Sequence, residues 1–360
     1  MSSNTTNTPA ATGTSHILQA KALGFPWATL DPFLFCAYHD DAYPVANAAM
    51  GPAVPLAGRD IGQDFSRKDG WSMYHGDSVP GFPAHPHRGF ETVTIVRKGL
   101  IDHSDSLGAV ARFGQGDVQW LTAGAGVVHS EMFPLLDQAA PNPLELFQIW
   151  LNLPARNKMV PPHFSMFWGP QITRVTDLDA DGRATEIAVV TGQLDTAHAS
   201  AALAAAKTLP PPPDSWAAQP DADVAILTLR MAPGARWTLP PAIGKNSRRM
   251  LYFFKGQTVT VAGQSIAQHA ALELAAGVPV ELVNGEAESE FLLLQGRPIH
   301  EPVAQYGPFV MNTEAEIRQA LQDYRATEFG GWPWPDQAPV HGRDPARFAR
   351  HPDGRTETAE

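Results

Sequence analysis

The feature that most constrains this chain is a rhythm. Apolar runs of about five or six residues recur at short intervals, each stopped by Gly, Pro, Asn or Asp. Residues 90–153 read FETVTIVR, KG, LIDHSD, SLG, AVARF, GQGD, VQWLT, AGAG, VVHSEM and, after a loop, LELFQIWLNL. Strands of this length with turns at this spacing point to a sandwich or small barrel. A second series follows: VAILTLRM, MLYFFKG, QTVTVAG, AALELAAG, VPVELVNG and EFLLLQG. TVTIVRKGLI and MLYFFKGQTV both run apolar strand, Lys-Gly turn, strand, so the same architecture is used twice. The fold class expected is all-β, with one sandwich or small-barrel architecture used twice in tandem. With 360 residues, 44% of them hydrophobic and 18% charged, the chain can fill two cores of ordinary domain size.

Five segments follow from the pattern. Residues 1–16 are Thr, Asn, Ser, Ala and Gly with too little apolar surface to offset their ordering entropy, so a disordered arm is expected. Residues 17–165 form a first barrel and 166–300 a second. Within the second half, AALAAAKTL and the prolines 210–213 read as a loop with a short helix. Residues 301–335 carry the one strong helix signal. Thr313 and Glu316 make a capping box, and Ile317, Leu321 and Tyr324 recur at i, i+4 and i+7, so this segment should pack back on the barrels. Residues 336–360 are polar and rich in breakers, which predicts a flexible tail.

Charge and composition exclude several functions. A net charge of −11 without a basic run argues against direct nucleic-acid binding. One cysteine, Cys36, with no basic neighbour reads as a buried small hydrophobe and rules out an internal disulfide. There is no signal-peptide pattern and no run long and apolar enough to span a membrane, so a soluble cytoplasmic monomer is expected.

The chemistry concentrates in HPHRGFE, residues 85–91. In a strand, residues two apart share a face about 7 Å apart, so His85 and His87 project together. Pro86 removes a backbone donor and places the pair at a strand start or an edge. His129 and Glu131 in VVHSEM repeat the spacing. Two neighbouring strands offering two ligands each can close on one first-row divalent ion, and the absence of sulfur argues against a structural zinc knot. Chance alone supplies about half a His-x-His pair from 13 histidines in 360 residues, so the weight lies in both pairs falling in one strand series. Period two also sets Glu91 on the face of His85 and His87, and spacing alone leaves open whether Glu131 or Glu91 is the carboxylate ligand. Other residues read less sharply. His75 and Asp77 are a cavity rim or a surface loop. His103 and Asp105 are more simply turn formers. Gln148 and Trp150 share a face that could meet a substrate ring or a core, and Phe82 and Met132 would supply an apolar surround.

The stretches GFPAHPHRGFETVTIVRKG, DHSDSLG, GDVQWLTAGAGVVHSEM and EPVAQYGPFVMNTEAEI resemble the pirin family, a branch of the cupin superfamily built as two stacked β-barrels, over roughly residues 30–330. Gly81, His85, His87, Glu91 and Gly99 match the first cupin motif, and Gly116, Gly124 and His129 the second. TAG precedes His129 by four residues where a general cupin has two, a departure that is itself pirin-like. The resemblance implies one divalent metal per chain, Fe(II), held by His85, His87, His129 and Glu131, with Glu91 in support. The second barrel has no matching pair, only the lone His269, so no metal is expected there. It further implies a quercetin 2,3-dioxygenase, which opens the central ring of a flavonol with O2, with Glu131 (or Glu91) as the proton acceptor. The alternative implied is an iron-dependent, redox-sensitive coregulator that captures a protein partner without turnover; a storage cupin is a third.

Overall fold

Alternation along each strand decides how the sheets stack, and it is clearest in the strand that follows the histidine motif. Val93 and Ile95 point to one side, Thr94 and Val96 to the other, and all four are buried. A strand covered on both faces must be apolar almost throughout, which is why FETVTIVR shows so little polar alternation. In the computed structural model, which describes residues 16–359, this strand lies between two cores.

The first ten strands are β1 (Ile17–Ala22), β2 (Phe33–Tyr43), β3 (Gly81–His87), β4 (Phe90–Lys98), β5 (Leu100–Asp105), β6 (Val110–Gly114), β7 (Val118–Thr122), β8 (Val127–Met132), β9 (Asn142–Asn152) and β10 (His163–Phe167). The next are β11 (Thr173–Leu178), β12 (Ala184–Thr191), β13 (Ala225–Met231), β14 (Arg236–Leu239) and β15 (Arg248–Lys255), with the helix α1 (Ala201–Ala204) between β12 and β13. Then come β16 (Val259–Val261), β17 (Gln264–Ile266), β18 (Ala270–Leu274), β19 (Val280–Asn284) and β20 (Ser289–Gly296). The chain ends with β21 (Ala304–Tyr306), β22 (Phe309–Met311), the helix α2 (Glu314–Thr327), β23 (Phe348–Arg350) and β24 (Thr356–Thr358).

In the first barrel a five-stranded sheet, ordered β10-β7-β4-β9-β2, packs on a six-stranded one, β24-β23-β6-β5-β8-β3. Val96, Ile101, Phe113, Leu121 and Leu146 fill the space between them. In the second barrel the seven-stranded sheet β1-β18-β15-β20-β13-β12-β11 packs on β14-β19-β16-β17 around Leu227, Leu251, Phe253 and Leu282. The five- and seven-stranded sheets then meet back to back through Val93, Ile95, Phe147, Ile226, Tyr252 and Leu292. This is the all-β architecture that the strand rhythm implies, in the two-stacked-barrel form that the pirin resemblance implies, with α2 near the C-terminus.

The capping box forms as read: Thr313 Oγ1 accepts from the Glu316 amide at 3.2 Å, and Glu316 Oε2 accepts from the Thr313 amide at 2.8 Å. Ile317 and Ala320 bury one face of α2 against Phe309 and Met311.

Three readings need correction or fall outside the structure. The proposed arm, residues 1–16, lies outside the described residues except for His16. Residues 17–22 do not join the first barrel; β1 pairs antiparallel with β18 and extends the second barrel's large sheet. Nearly every β1 side chain is exposed, so its backbone pairing, which no hydrophobic pattern reports, decides where it goes. Nor is 336–360 simply a loose tail. β23 pairs with β6, whose buried edge otherwise lacks partners, and Arg347 reaches Asp117 at 2.7 Å while the His341 amide donates to Asp102 Oδ2 at 2.8 Å. Breaker-rich composition signals irregular backbone, and here hydrogen bonds to the barrel hold that backbone.

Candidate metal centre

β3 is the edge strand of its sheet, which is why Pro86 can interrupt its hydrogen bonding. It pairs antiparallel with β8, so that His85 stands opposite His129 and, after a register shift, Phe82 opposite Glu131. His87 lies two residues from His85 on the same face. The ligating atoms of His85, His87 and His129 all lie within 4.8 Å of one another, and among the described residues this is the group of His, Cys, Asp or Glu side chains spaced to hold an ion. Ring centroids are 4.8 Å apart for His85–His87, 4.5 Å for His85–His129 and 4.8 Å for His87–His129.

The protonation state suits ligation. His85 Nδ1 lies 2.8 Å from the Pro83 carbonyl, which makes it the donor and leaves the Nε2 lone pair free. Burial pulls the His85 pKa down to about 4, and burial with the neighbouring imidazoles pulls those of His87 and His129 well below the usual range. All three rings are therefore neutral at pH 7. His87 Nδ1 and both nitrogens of His129 are buried without a hydrogen-bond partner. Buried polar nitrogens with no partner are costly, and a cation that takes one nitrogen from each ring removes part of that cost. Three imidazoles and an adjacent carboxylate match a first-row divalent metal.

Glu131 borders this cluster, its Oε2 3.9 Å from His129 Nε2. Gln148 Nε2 donates to Oε2 at 3.1 Å, and Thr94 Oγ1 approaches Oε1 at 3.2 Å. Burial raises its pKa, against the pull of the Thr94 and Gln148 donors.

Glu91 is not part of the site, contrary to the period-two reading. Its carboxylate accepts from Thr122 Oγ1 at 2.7 Å and Ser215 Oγ at 2.5 Å, on the side where the barrels meet. The reason is local: β3 ends at His87 and the chain turns through Arg88 and Gly89 before β4 begins, so strand parity is reset. Gly89 has φ +85°, and a Cβ there would sit 2.0 Å from the Val310 carbonyl oxygen. Burial raises the Glu91 pKa from 4.5 to about 7, against the pull of its hydroxyl donors. An acid whose pKa is raised in the folded state binds more protons folded than unfolded, so stability falls as pH rises from about 4.5 to about 7. Glu91→Gln is expected to flatten that part of the curve, measured as the urea midpoint at several pH values; an unchanged slope would contradict the assignment.

His103 also differs from its reading as a turn residue. Asp105 does cap the turn, accepting from the Leu107 and Ala109 amides at 2.9 Å each. His103, however, is fully buried opposite Glu131 and its ring centroid is 5.4 Å from that of His129, directly behind the cluster.

His85, His87 and Glu131 open onto a cavity of about 310 Å³, with His129 buried behind them. Phe82, His75, Gln148 and Trp150 line it, as the sequence allowed, whereas Asp77 and Met132 do not. His269 is exposed and bonds to the Gly256 carbonyl. Cys36 is fully buried, and burial pushes its thiol pKa up, as expected of a small hydrophobe. Phe25, Phe35, His39 and Phe65 complete the wall and were not singled out. Phe35, Ala37 and His39 alternate along β2, a signal that was legible but lacked a partner strand to give it meaning.

Two stacked barrels with a buried three-histidine cluster inside the first define a cupin of the two-domain type. The comparisons make the family specific. The pirin family model matches residues 19–151, and the pirin C-terminal cupin domain model matches residues 226–330. A Pseudomonas aeruginosa protein provisionally named a quercetin 2,3-dioxygenase is 37% identical over 251 residues, 69% of this chain and 80% of that protein. Human pirin is 33% identical over 262 residues, 71% of this chain and 80% of its own length. The crystal structure of a quercetin 2,3-dioxygenase from Acinetobacter baumannii superimposes with a TM-score of 0.64 at 26% identity, covering 88% of this chain and 98% of that one. The chain belongs to the pirin family.

Proposed function

We propose that this pirin is a metal-dependent flavonol dioxygenase of the quercetin 2,3-dioxygenase type, with one Fe(II) held by His85, His87, His129 and Glu131. The observation that carries the reading is the cluster of three neutral imidazoles, with orphaned nitrogens on His87 and His129, beside an apolar cavity that His85 and His87 line. When bound, the metal supplies Lewis acidity toward a substrate oxygen and one-electron chemistry toward dioxygen. The chain's own groups do the rest. Trp150, its ring 5.5 Å from that of His87, and Phe82 offer flat faces against which an aromatic substrate can stack. Glu131 takes the proton of the flavonol 3-hydroxyl, and the Gln148 amide, which donates to its carboxylate at 3.1 Å, holds that group in place beside the histidines. The apolar lining excludes water from the opened ring. The alternative, a redox-sensitive coregulator, needs a docking surface and has no use for an apolar cavity of about 310 Å³ beside the cluster, so the cavity favours the enzyme.

The expected result is that Fe(II)-loaded protein consumes O2 and releases carbon monoxide when given quercetin. Full metal occupancy with neither gas exchange would refute the proposal.

A further inference from the structure

We infer that His39 is a specificity-determining residue of the cavity, accepting a hydrogen bond from a hydroxyl at the end of an aromatic substrate remote from the metal. The inference rests on the cavity being the substrate site proposed above. His39 and His85 both line the cavity, each beside Phe82, with ring centroids 6.2 and 6.3 Å from its ring, and the two imidazoles make no ring contact with each other. A molecule in contact with both therefore runs along the wall that Phe82 helps to form.

The orientation of His39 is built from behind. Its Nδ1 lies 2.8 Å from the Tyr74 hydroxyl, and that hydroxyl donates to Asp41 Oδ2 at 2.7 Å. Asp41 Oδ1 accepts from the Ser72 amide at 3.0 Å, so the carboxylate is anchored in turn. A phenol has one hydrogen. Because Tyr74 gives it to Asp41, the phenol oxygen receives the Nδ1 hydrogen of His39, and a neutral imidazole with Nδ1 as donor carries its lone pair on Nε2. Burial lowers the His39 pKa to about 4, which keeps the ring neutral at pH 7.

The chain offers this lone pair nothing: no hydrogen bond joins Nε2 to any protein group among the described residues, and the cavity-lining rings beside His39 are those of Phe25 and Phe82. A fixed acceptor in an apolar wall favours a ligand that brings an O–H to it and disfavours one that leaves it dry and unpaired. The ligand class selected is an aromatic with a metal-binding oxygen at one end and a phenolic hydroxyl at the other.

The test uses two probes that differ by that one hydroxyl, 3-hydroxyflavone and 3,4′-dihydroxyflavone, titrated by absorbance into Fe(II)-loaded protein without O2. The unsubstituted protein is expected to bind the dihydroxy compound about tenfold tighter. His39→Phe should bring the ratio to about one. His39→Gln, which keeps an acceptor near the Nε2 position, should restore part of the preference. Tyr74→Phe should also lower it, because Nδ1 loses its acceptor and the tautomer is no longer set; this variant decides the matter if His39→Phe does not fold. A preference that survives His39→Phe, or no preference in the unsubstituted protein, overturns the inference and leaves the flavonol reading standing. If neither probe binds the loaded protein, the flavonol reading fails and the inference with it.

Discussion

His129→Ala is expected to reduce the metal retained after dialysis against a chelator from about one ion per chain to under about a tenth, since ligands outside the coordination shell already change affinity by 10–100-fold. The size of the effect follows from where His129 sits. Its ring lies 4.5 Å from that of His85 and 4.8 Å from that of His87, it is wholly buried, and neither nitrogen has another partner. Alanine leaves His85 and His87 on one strand with Glu131 and nothing opposite His85. Metal analysis by mass spectrometry gives the occupancy, and flavonol-dependent O2 uptake should be lost in parallel. Retention of a full ion would mean that His129 is not a ligand. A near-normal urea midpoint for the metal-free variant would show that the loss is one of ligation rather than of folding.

A second large effect is expected at Asp102. Its two carboxylate oxygens accept from Arg112 Nε at 2.7 Å and Nη2 at 2.6 Å, with both side chains fully buried. Asp102 Oδ2 also accepts from the His341 amide at 2.8 Å, while Arg112 donates to the carbonyls of Gly342 and Asp344. The pair thus fastens the C-terminal segment to the first barrel. Asp102→Ala strands a buried guanidinium, which costs about 3–5 kcal/mol. The urea midpoint should fall accordingly, and limited proteolysis should cut within residues 336–359 far sooner than in the unsubstituted protein. Adding Arg112→Met should recover much of the loss in global stability, because no charge is then left unpaired. It should not restore protection of the segment, whose hydrogen bonds would still be missing. A midpoint within error of the original would show the pair to be dispensable.

The sequence was informative wherever the governing physics is local. Strand length, Gly-marked turns and the Thr313–Glu316 box are set by neighbours in the chain, and all are found. The two-residue spacings of His85 with His87 and of His129 with Glu131 likewise survive into the structure, because each pair lies within a single strand. Glu91 shows the limit. Extending the same parity across Arg88 and Gly89 assumed a continuous strand, and the turn there sends the carboxylate to the other side of the sheet. His103 was undervalued because what makes it notable is a contact with a ring 26 positions away. The cavity wall drew on β2 and on residues from Phe65 to Phe82, segments with little pattern of their own that acquire meaning only once β2 pairs with β9. The fate of the tail was hidden for a similar reason: nothing in FAR reports that the edge of β6 is vacant.

The path of β1 has a consequence for how this molecule can be taken apart. The polypeptide is stitched into the second barrel before it begins the first, then crosses between them with Trp27 stacked on Tyr252 at 5.0 Å. Severing the chain between β10 and β11 would therefore not yield two self-sufficient halves. The downstream piece would expose the bare flank of β18, an open template for sticking to its neighbours, and the upstream piece would carry an orphaned ribbon with nothing to lie against.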